Sequence, residues 1–369
     1  MVLADPLTAV TLSFVFLAVL VYKRISLEIT LLSTSLLLAL LSLDFAEIPS
    51  VFTRTAMDSV TISLVGATLG IMLLSQLYKE TGKVEDVSRS LGEVVKNSKV
   101  IVSVLPAVIG LLPVAGGALM SAPLIETEAN NLRMDEEKKV YVNVWFRHII
   151  FPVYPVSQVL ILLSALTGVS LFSVILRQIP VVLAMSVIGY FLGLWKVQTK
   201  TEANKRLESK LSENLAILIK SFLPILIMIF VVIVFSWSVF VASLIGLALL
   251  MVIARPSFDV LCKTFSNPSI YTITLAAFGA MLLRNVTLTS GISEVLGGII
   301  SNGQISEVVL LSGLPAILAF LVGSPSGGIA ITVPILEAVL NFTPKTASLL
   351  YSAAYLGYVG APTHLCLVL

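Results

Sequence analysis

Nine stretches of this chain stay apolar for the length of a bilayer crossing, which takes about 20 residues of helix. They lie near 5–22, 26–44, 58–78, 140–165, 169–195, 214–235, 237–254, 269–286 and 345–369. Runs of this kind must be helices that satisfy their own backbone groups, because hydrocarbon offers no partner for a free N–H or C=O. Composition agrees: 57% of the 369 residues are hydrophobic and only 12% are charged, roughly half the charge of a soluble domain. The chain therefore reads as an all-α polytopic membrane protein. Its net charge of +2 gives no reason to expect nucleic acid as a partner. Cys262 and Cys366 fit no metal-ligand spacing and read as inert thiols. The run Leu7–Tyr22 lacks a basic segment before it and a small-residue cleavage site after it, so it reads as a first span rather than a signal peptide.

Two further apolar stretches, 100–126 and 305–338, are interrupted by "LLPVAGGALMSAP" and "LVGSPSGGIAITVP". They belong to a duplication. "GIMLLSQLYKETGKVE" (70–85) matches "GAMLLRNVTLTSGISE" (279–294) at an offset of 209, and the same offset pairs Leu105-Pro106-Ala107 with Leu314-Pro315-Ala316. After a two-residue insertion, "GGALMSAPLIE" (116–126) pairs with "GGIAITVPILE" (327–337), aligning the glycines, Ser121 with Thr332, Pro123 with Pro334 and Glu126 with Glu337. The expected organisation is repeat 1 over 1–195, a charged cytoplasmic linker over 196–213 and repeat 2 over 214–369, each repeat with about five spans. Repeat 1 has a helix, 169–195, after its broken span. Repeat 2 ends in mid-hydrophobic run, so its last span is expected to be missing or cut short.

Orientation follows from charge. With the N-terminus outside, the segments 23–25, 79–99, 127–139, 196–213 and 255–267 face the cytoplasm and hold 17 of the 23 Lys and Arg, as the positive-inside rule requires. The two repeats then run antiparallel through the membrane, the inverted-repeat plan of secondary transporters. Each interrupted stretch is expected to be a re-entrant helical hairpin (100–126 and 305–338), its tip near the midplane. Two short amphipathic segments, 83–97 and 292–300, read as interfacial helices.

Broken backbone at membrane depth survives only when protein buries it or a cavity hydrates it. Helix N-termini offer free N–H groups to anions. The candidate substrate-binding residues are therefore Gly116, Gly117 and Ser121 in the first hairpin, and Ser324, Ser326, Gly327, Gly328 and Thr332 in the second. Each hairpin is followed by a span broken by proline or glycine, 140–165 and 345–369. The polar residues there, Ser157 and Gln158, then Thr363 and His364, occupy equivalent positions and are expected to line the same cavity. Against this stand ordinary structural roles: glycine for helix packing, and hydroxyls bonded back to their own helix. Intramembrane charge points to function by default. Arg147, Arg284 and Asn285 are the candidate charge partners, although Arg147 sits about two turns into its span and can snorkel to the cytoplasmic side.

At the hairpins and at "SAAYLGYVGAPTHLCLVL" the sequence resembles a family of archaeal and bacterial integral membrane proteins of unknown function. It also resembles, more distantly, the ion-transporter superfamily of gluconate permeases, citrate transporters and divalent-anion/sodium symporters. That resemblance implies a scaffold plus a mobile transport domain, often dimeric, with cargo held between hairpin tips and unwound spans. The symporters carry a Ser-Asn-Thr signature where this chain has Pro-Val-Ala-Gly-Gly and Ser-Pro-Ser-Gly-Gly, so their sodium and dicarboxylate sites do not carry over.

The expected function is secondary active transport of a small organic or inorganic anion, coupled to Na+ or H+, at the cell membrane. Its partners would be the anionic solute, membrane lipid and a second copy in a homodimer, and no bound cofactor is expected. The alternatives are an anion channel or passive pore, and a non-transporting membrane enzyme. No His-Glu-x-x-His or Gly-x-Ser-x-Gly motif occurs, and two histidines cannot build a histidine-rich metal site; a metal site is left open.

Overall fold

The computed structural model describes residues 2–95, 97–111, 117–197, 211–292, 306–362, 364 and 366. Every regular element among them is helical. The first half contains α1 (Pro6–Tyr22), α2 (Leu27–Ser42), α3 (Ile48–Met57), α4 (Ser59–Glu80), α5 (Lys83–Val94), α6 (Ser98–Leu111), α7 (Gly117–Asn131), α8 (Glu136–Ile149), α9 (Gln158–Thr167) and α10 (Leu171–Gly189). The second contains α11 (Leu211–Val234), α12 (Val239–Ala254), α13 (Phe258–Phe265), α14 (Pro268–Thr289), α15 (Glu307–Val322), α16 (Pro325–Glu337) and α17 (Pro344–Val359).

Among the described residues, five segments are long and apolar enough to cross a membrane: Ser59–Glu80, Glu136–Thr167, Leu171–Leu194, Ser212–Val234 and Pro268–Thr289. Three other expected spans, α1, α2 and α12, are apolar helices of 17, 16 and 16 residues, about 24–26 Å long at 1.5 Å per residue. Lipid is the natural solvent for the outer surface. Leu183 on α10 is 61% exposed and Val252 on α12 is 70% exposed, and apolar surface on this scale is not left in water.

The local sequence explains the ends and breaks. Asp5 caps α1 by accepting the Thr8 N–H at 3.1 Å, with Pro6 in the first turn. In 140–165, Pro152 and Pro155 stop the helix as expected. α8 ends at Ile149, a short 3₁₀ turn covers Phe151–Val153, and α9 starts at Gln158. In 345–369 the helix ends at Val359, with a turn at Gly360. Helix α3, only ten residues long, fell below the length of any span and was not expected.

Two pairs of helices start at the offset of the sequence match. α4 and α14 are both 22 residues and begin 209 residues apart, at Ser59 and Pro268; α6 and α15 begin 209 apart as well, at Ser98 and Glu307.

The described chain divides into two compact units, each drawing on both halves of the sequence. The first holds 1–69, 158–177 and 268–364. Within it α14 packs on α2, α15 on α16 and α17, and α16 on α9 and α14. Gly357 of α17 lets α15 approach closely, since a Cβ there would lie 2.8 Å from Ala316 Cα on α15. The second unit holds 70–157, 178–267 and 365–369. There α6 packs on α7 and α8, α11 on α12, and α5 on α11. Val84, Val87 and Leu91 of α5 are buried, so the apolar face read as interfacial is turned onto α11. Of the other such segment, 292–300, only Ile292 lies among the described residues.

Candidate functional site

The described part of the second interrupted stretch is a tight helix–turn–helix in the first unit. Only Gly323 and Ser324 separate α15 from α16. Gly323 takes φ 68°, a conformation glycine reaches without cost, and the Ser324 N–H donates to Ala319 O at 3.2 Å. Ser324 then caps α16: its Oγ accepts the Gly327 N–H at 3.4 Å and lies 2.8 Å from Ser326 Oγ. Pro325 fills the first helical position, where its missing N–H removes nothing. Gly328 lets the arms meet, since a Cβ there would lie 2.7 Å from Ala319 Cβ. The run "GSPSGG" is thus a C-cap, an N-cap, a helix-starting proline and a packing contact in sequence. Pro325, Gly327, Gly328 and the whole of 329–334 are buried.

Two of the anticipated residues carry buried polar atoms with no hydrogen-bond partner. Thr332 on α16 is fully buried and its Oγ1 is unpartnered, whereas the hydroxyls of Thr55 and Thr287 donate to carbonyls four residues back. Gln158, at the start of α9, has a buried Nε2 without an acceptor. Unpaired buried groups of this kind are costly and mark sites of strain, water or ligand.

The same unit holds a charged network. Arg284 of α14 grips Glu337, at the end of α16, in a bidentate pair. Its Nε donates to Glu337 Oε2 at 2.7 Å and its Nη2 donates to Glu337 Oε1. Nε also reaches Leu166 O at 2.9 Å, one of the orphan carbonyls at the C-terminus of α9. Nη1 donates to Asn285 Oδ1 at 3.4 Å, and Asn285 Nδ2 donates to Thr55 Oγ1 on α3 at 2.9 Å. One arginine therefore ties α14 to α16 and α9, and its neighbour Asn285 ties α14 to α3. The side chains of Arg284 and Glu337 are 24% and 18% exposed.

In the second unit, Ser121 on α7 is buried and donates to Asn143 Oδ1 on α8, and Ser98 Oγ donates to the buried Glu128 at 2.6 Å. Arg147 is buried, with its guanidinium carbon 6.0 Å from the Phe151 ring centroid, so it is not extended to the surface. Next to it His148 Nδ1 lies 2.6 Å from Val144 O. Ser157 is buried, its N–H donating to Tyr154 O at 2.9 Å.

The anticipated residues thus divide. Ser121, Arg147 and Ser157 belong to the second unit. Gln158, Arg284, Asn285, Ser324, Ser326, Gly327, Gly328, Thr332 and His364 belong to the first. His364 is fully buried, its ring centroid 4.1 Å from that of Tyr358. Gly116 and Thr363 lie outside the described residues, and Gly117 is seen as the first residue of α7. Sequence reading did not single out Glu337, Glu128, Asn143 or Thr55. Glu337 stood in the duplicated pattern opposite Glu126, but its partner lies 53 residues away, a pairing no local spacing reveals.

No curated protein matches this chain. A family model described as "Protein of unknown function (DUF401)" matches residues 7–369, and on that match over nearly its whole length the chain belongs to the DUF401 family.

Proposed function

We propose that this protein is a secondary active transporter of a small anion, an organic carboxylate or inorganic oxyanion, built from two inverted repeats with re-entrant hairpins. The observation that carries the reading is the α15–α16 pair. Its arms have 16 and 13 residues, about 24 and 20 Å of helix, and the return arm α16 is shorter than any of the expected spans and falls well short of a hydrocarbon core of about 30 Å. A two-residue turn joins them, so the pair enters an apolar layer and returns to the face it came from. Its tip presents the N-terminus of α16, with the Ser324 and Ser326 hydroxyls, an arrangement suited to an anion. The unpartnered Thr332 hydroxyl and Gln158 amide supply further polar atoms in the same unit. The recurrence of helix boundaries at an offset of 209 supports the duplication, and the charge distribution supports a cytoplasmic linker with the N-terminus outside.

Counterflow tests this. Purified protein in liposomes preloaded with excess unlabelled anion should draw in labelled anion transiently against its gradient. The panel comprises monocarboxylates, citrate, sulfate and phosphate, each with and without sodium. Flux that only dissipates a gradient, with no counterflow, would mark a pore and sink the carrier reading.

A further inference from the structure

Glu337 sits on Arg284 as a carboxylate ligand would, with both oxygens on the fork of the guanidinium. That geometry is the preferred one for arginine and a planar oxyanion. On the four helices packed against α16, the other ionisable groups are few. α9 has none; α14 has Arg284 and, at its far end, Tyr271; α15 has the exposed Glu307; α17 has the exposed Lys345 and Tyr351, Tyr355 and Tyr358. Arg284 is the only cation among them that is not exposed at a helix end. Asn285 and Leu166 O also accept from its guanidinium.

Resting on the carrier reading above, but placing the cargo at the Glu337 end of α16 rather than at its Ser324 tip, we infer that Arg284 is the cargo-binding cation, that Glu337 is its exchangeable internal counter-ion, and that the cargo is a monovalent carboxylate taken up together with one proton. The charge balance dictates the coupling. Empty, the pair is Arg⁺ and Glu⁻, net zero. A monoanion that displaces Glu337 from Arg284 leaves a second negative charge in an apolar unit, which is costly while Glu337 stays ionised. A proton taken from the aqueous side onto Glu337 restores net zero, and the same proton leaves from Glu337 when the anion departs on the far side. Anion and proton therefore bind together or not at all. A divalent anion would leave one uncompensated charge and is excluded by the same count.

The test uses full-length protein in liposomes loaded with a pH-sensitive dye. Labelled lactate and gluconate serve as monocarboxylate probes and labelled sulfate as the divalent contrast. Wild type should show counterflow of a monocarboxylate, and an inward gradient of it should acidify the lumen. Glu337→Gln mimics the protonated acid permanently. It should keep counterflow, lose lumenal acidification and make uptake sensitive to membrane potential, because its empty form carries Arg284 alone. Glu337→Gln that still acidifies the lumen as wild type does overturns the inference while the carrier reading stands. So does wild-type movement of a monocarboxylate with no proton, a measurement independent of whether the variant folds. Counterflow of sulfate but of neither monocarboxylate overturns the cargo class alone. Absence of counterflow across the wider panel removes the carrier reading, and this inference with it.

Discussion

At the scale of single residues, the polar side chains of this protein fall into two kinds. Thr55 is fully used: its hydroxyl donates to Val51 O at 2.8 Å and accepts from Asn285. Thr332 is fully buried and unused. Removing a satisfied hydroxyl leaves its partner unpaired, whereas removing an unsatisfied one removes a cost. Thr55→Val should therefore destabilise by about 1–3 kcal/mol, seen as a lowered thermal midpoint in detergent. Thr332→Val should leave that midpoint unchanged or raise it, yet weaken counterflow. A Thr332→Val protein that is destabilised as much as Thr55→Val, with transport intact, would assign Thr332 a purely structural role.

At the scale of elements, helix contacts are set by where side chains are absent. Gly357 and Gly313 are both helical glycines of the first unit and look alike in sequence. A Cβ at Gly357 would meet the backbone of Ala316, Cα at 2.8 Å and C at 2.9 Å, and backbone cannot rotate away. A Cβ at Gly313 meets nothing within 4 Å. Gly357→Ala should force α15 and α17 apart at a cost of about 1–3 kcal/mol, read as faster amide exchange in both helices. Gly313→Ala should slow exchange or leave it unchanged, since alanine favours helix by about 1 kcal/mol over glycine. Equal effects of the two changes would mean that the α15–α17 contact is looser than drawn. The turn between α15 and α16 teaches a related lesson. The interruption was legible in the sequence, whereas the places that Gly323, Ser324 and Pro325 take at the two helix boundaries were assigned by the backbone. The amphipathic stripe of α5 was legible too, but its partner was not. A face with Val84, Val87 and Leu91 is written the same way whether it meets lipid or, as here, α11.

At the scale of the whole molecule, the topology expected from charge makes a simple demand of a native residue. Cys262 is exposed, on α13, within the segment 255–267 assigned to the cytoplasm. A membrane-impermeant maleimide should label it in inside-out vesicles and not in right-side-out ones, with Cys366 replaced by serine. Labelling only from the outside would invert the topology and turn the hairpins to opposite faces.

Several things followed from the sequence by itself: the all-helical membrane class, the breaks in 140–165 and 345–369, and the interruption at "GSPSGG". All rest on local rules, because helix length, helix caps and backbone hydrogen bonding are decided within a few residues. Tertiary structure alone decided which helices share a unit and which polar groups meet. The first unit takes α1–α3 and α9 from one half of the chain and α14–α17 from the other, an exchange invisible to any window along the sequence. It also decided that Arg284, legible only as a charge in an apolar run, holds Glu337. Apolar and charged side chains are specific about the company they keep only through shape and distance, and those exist once the helices are packed.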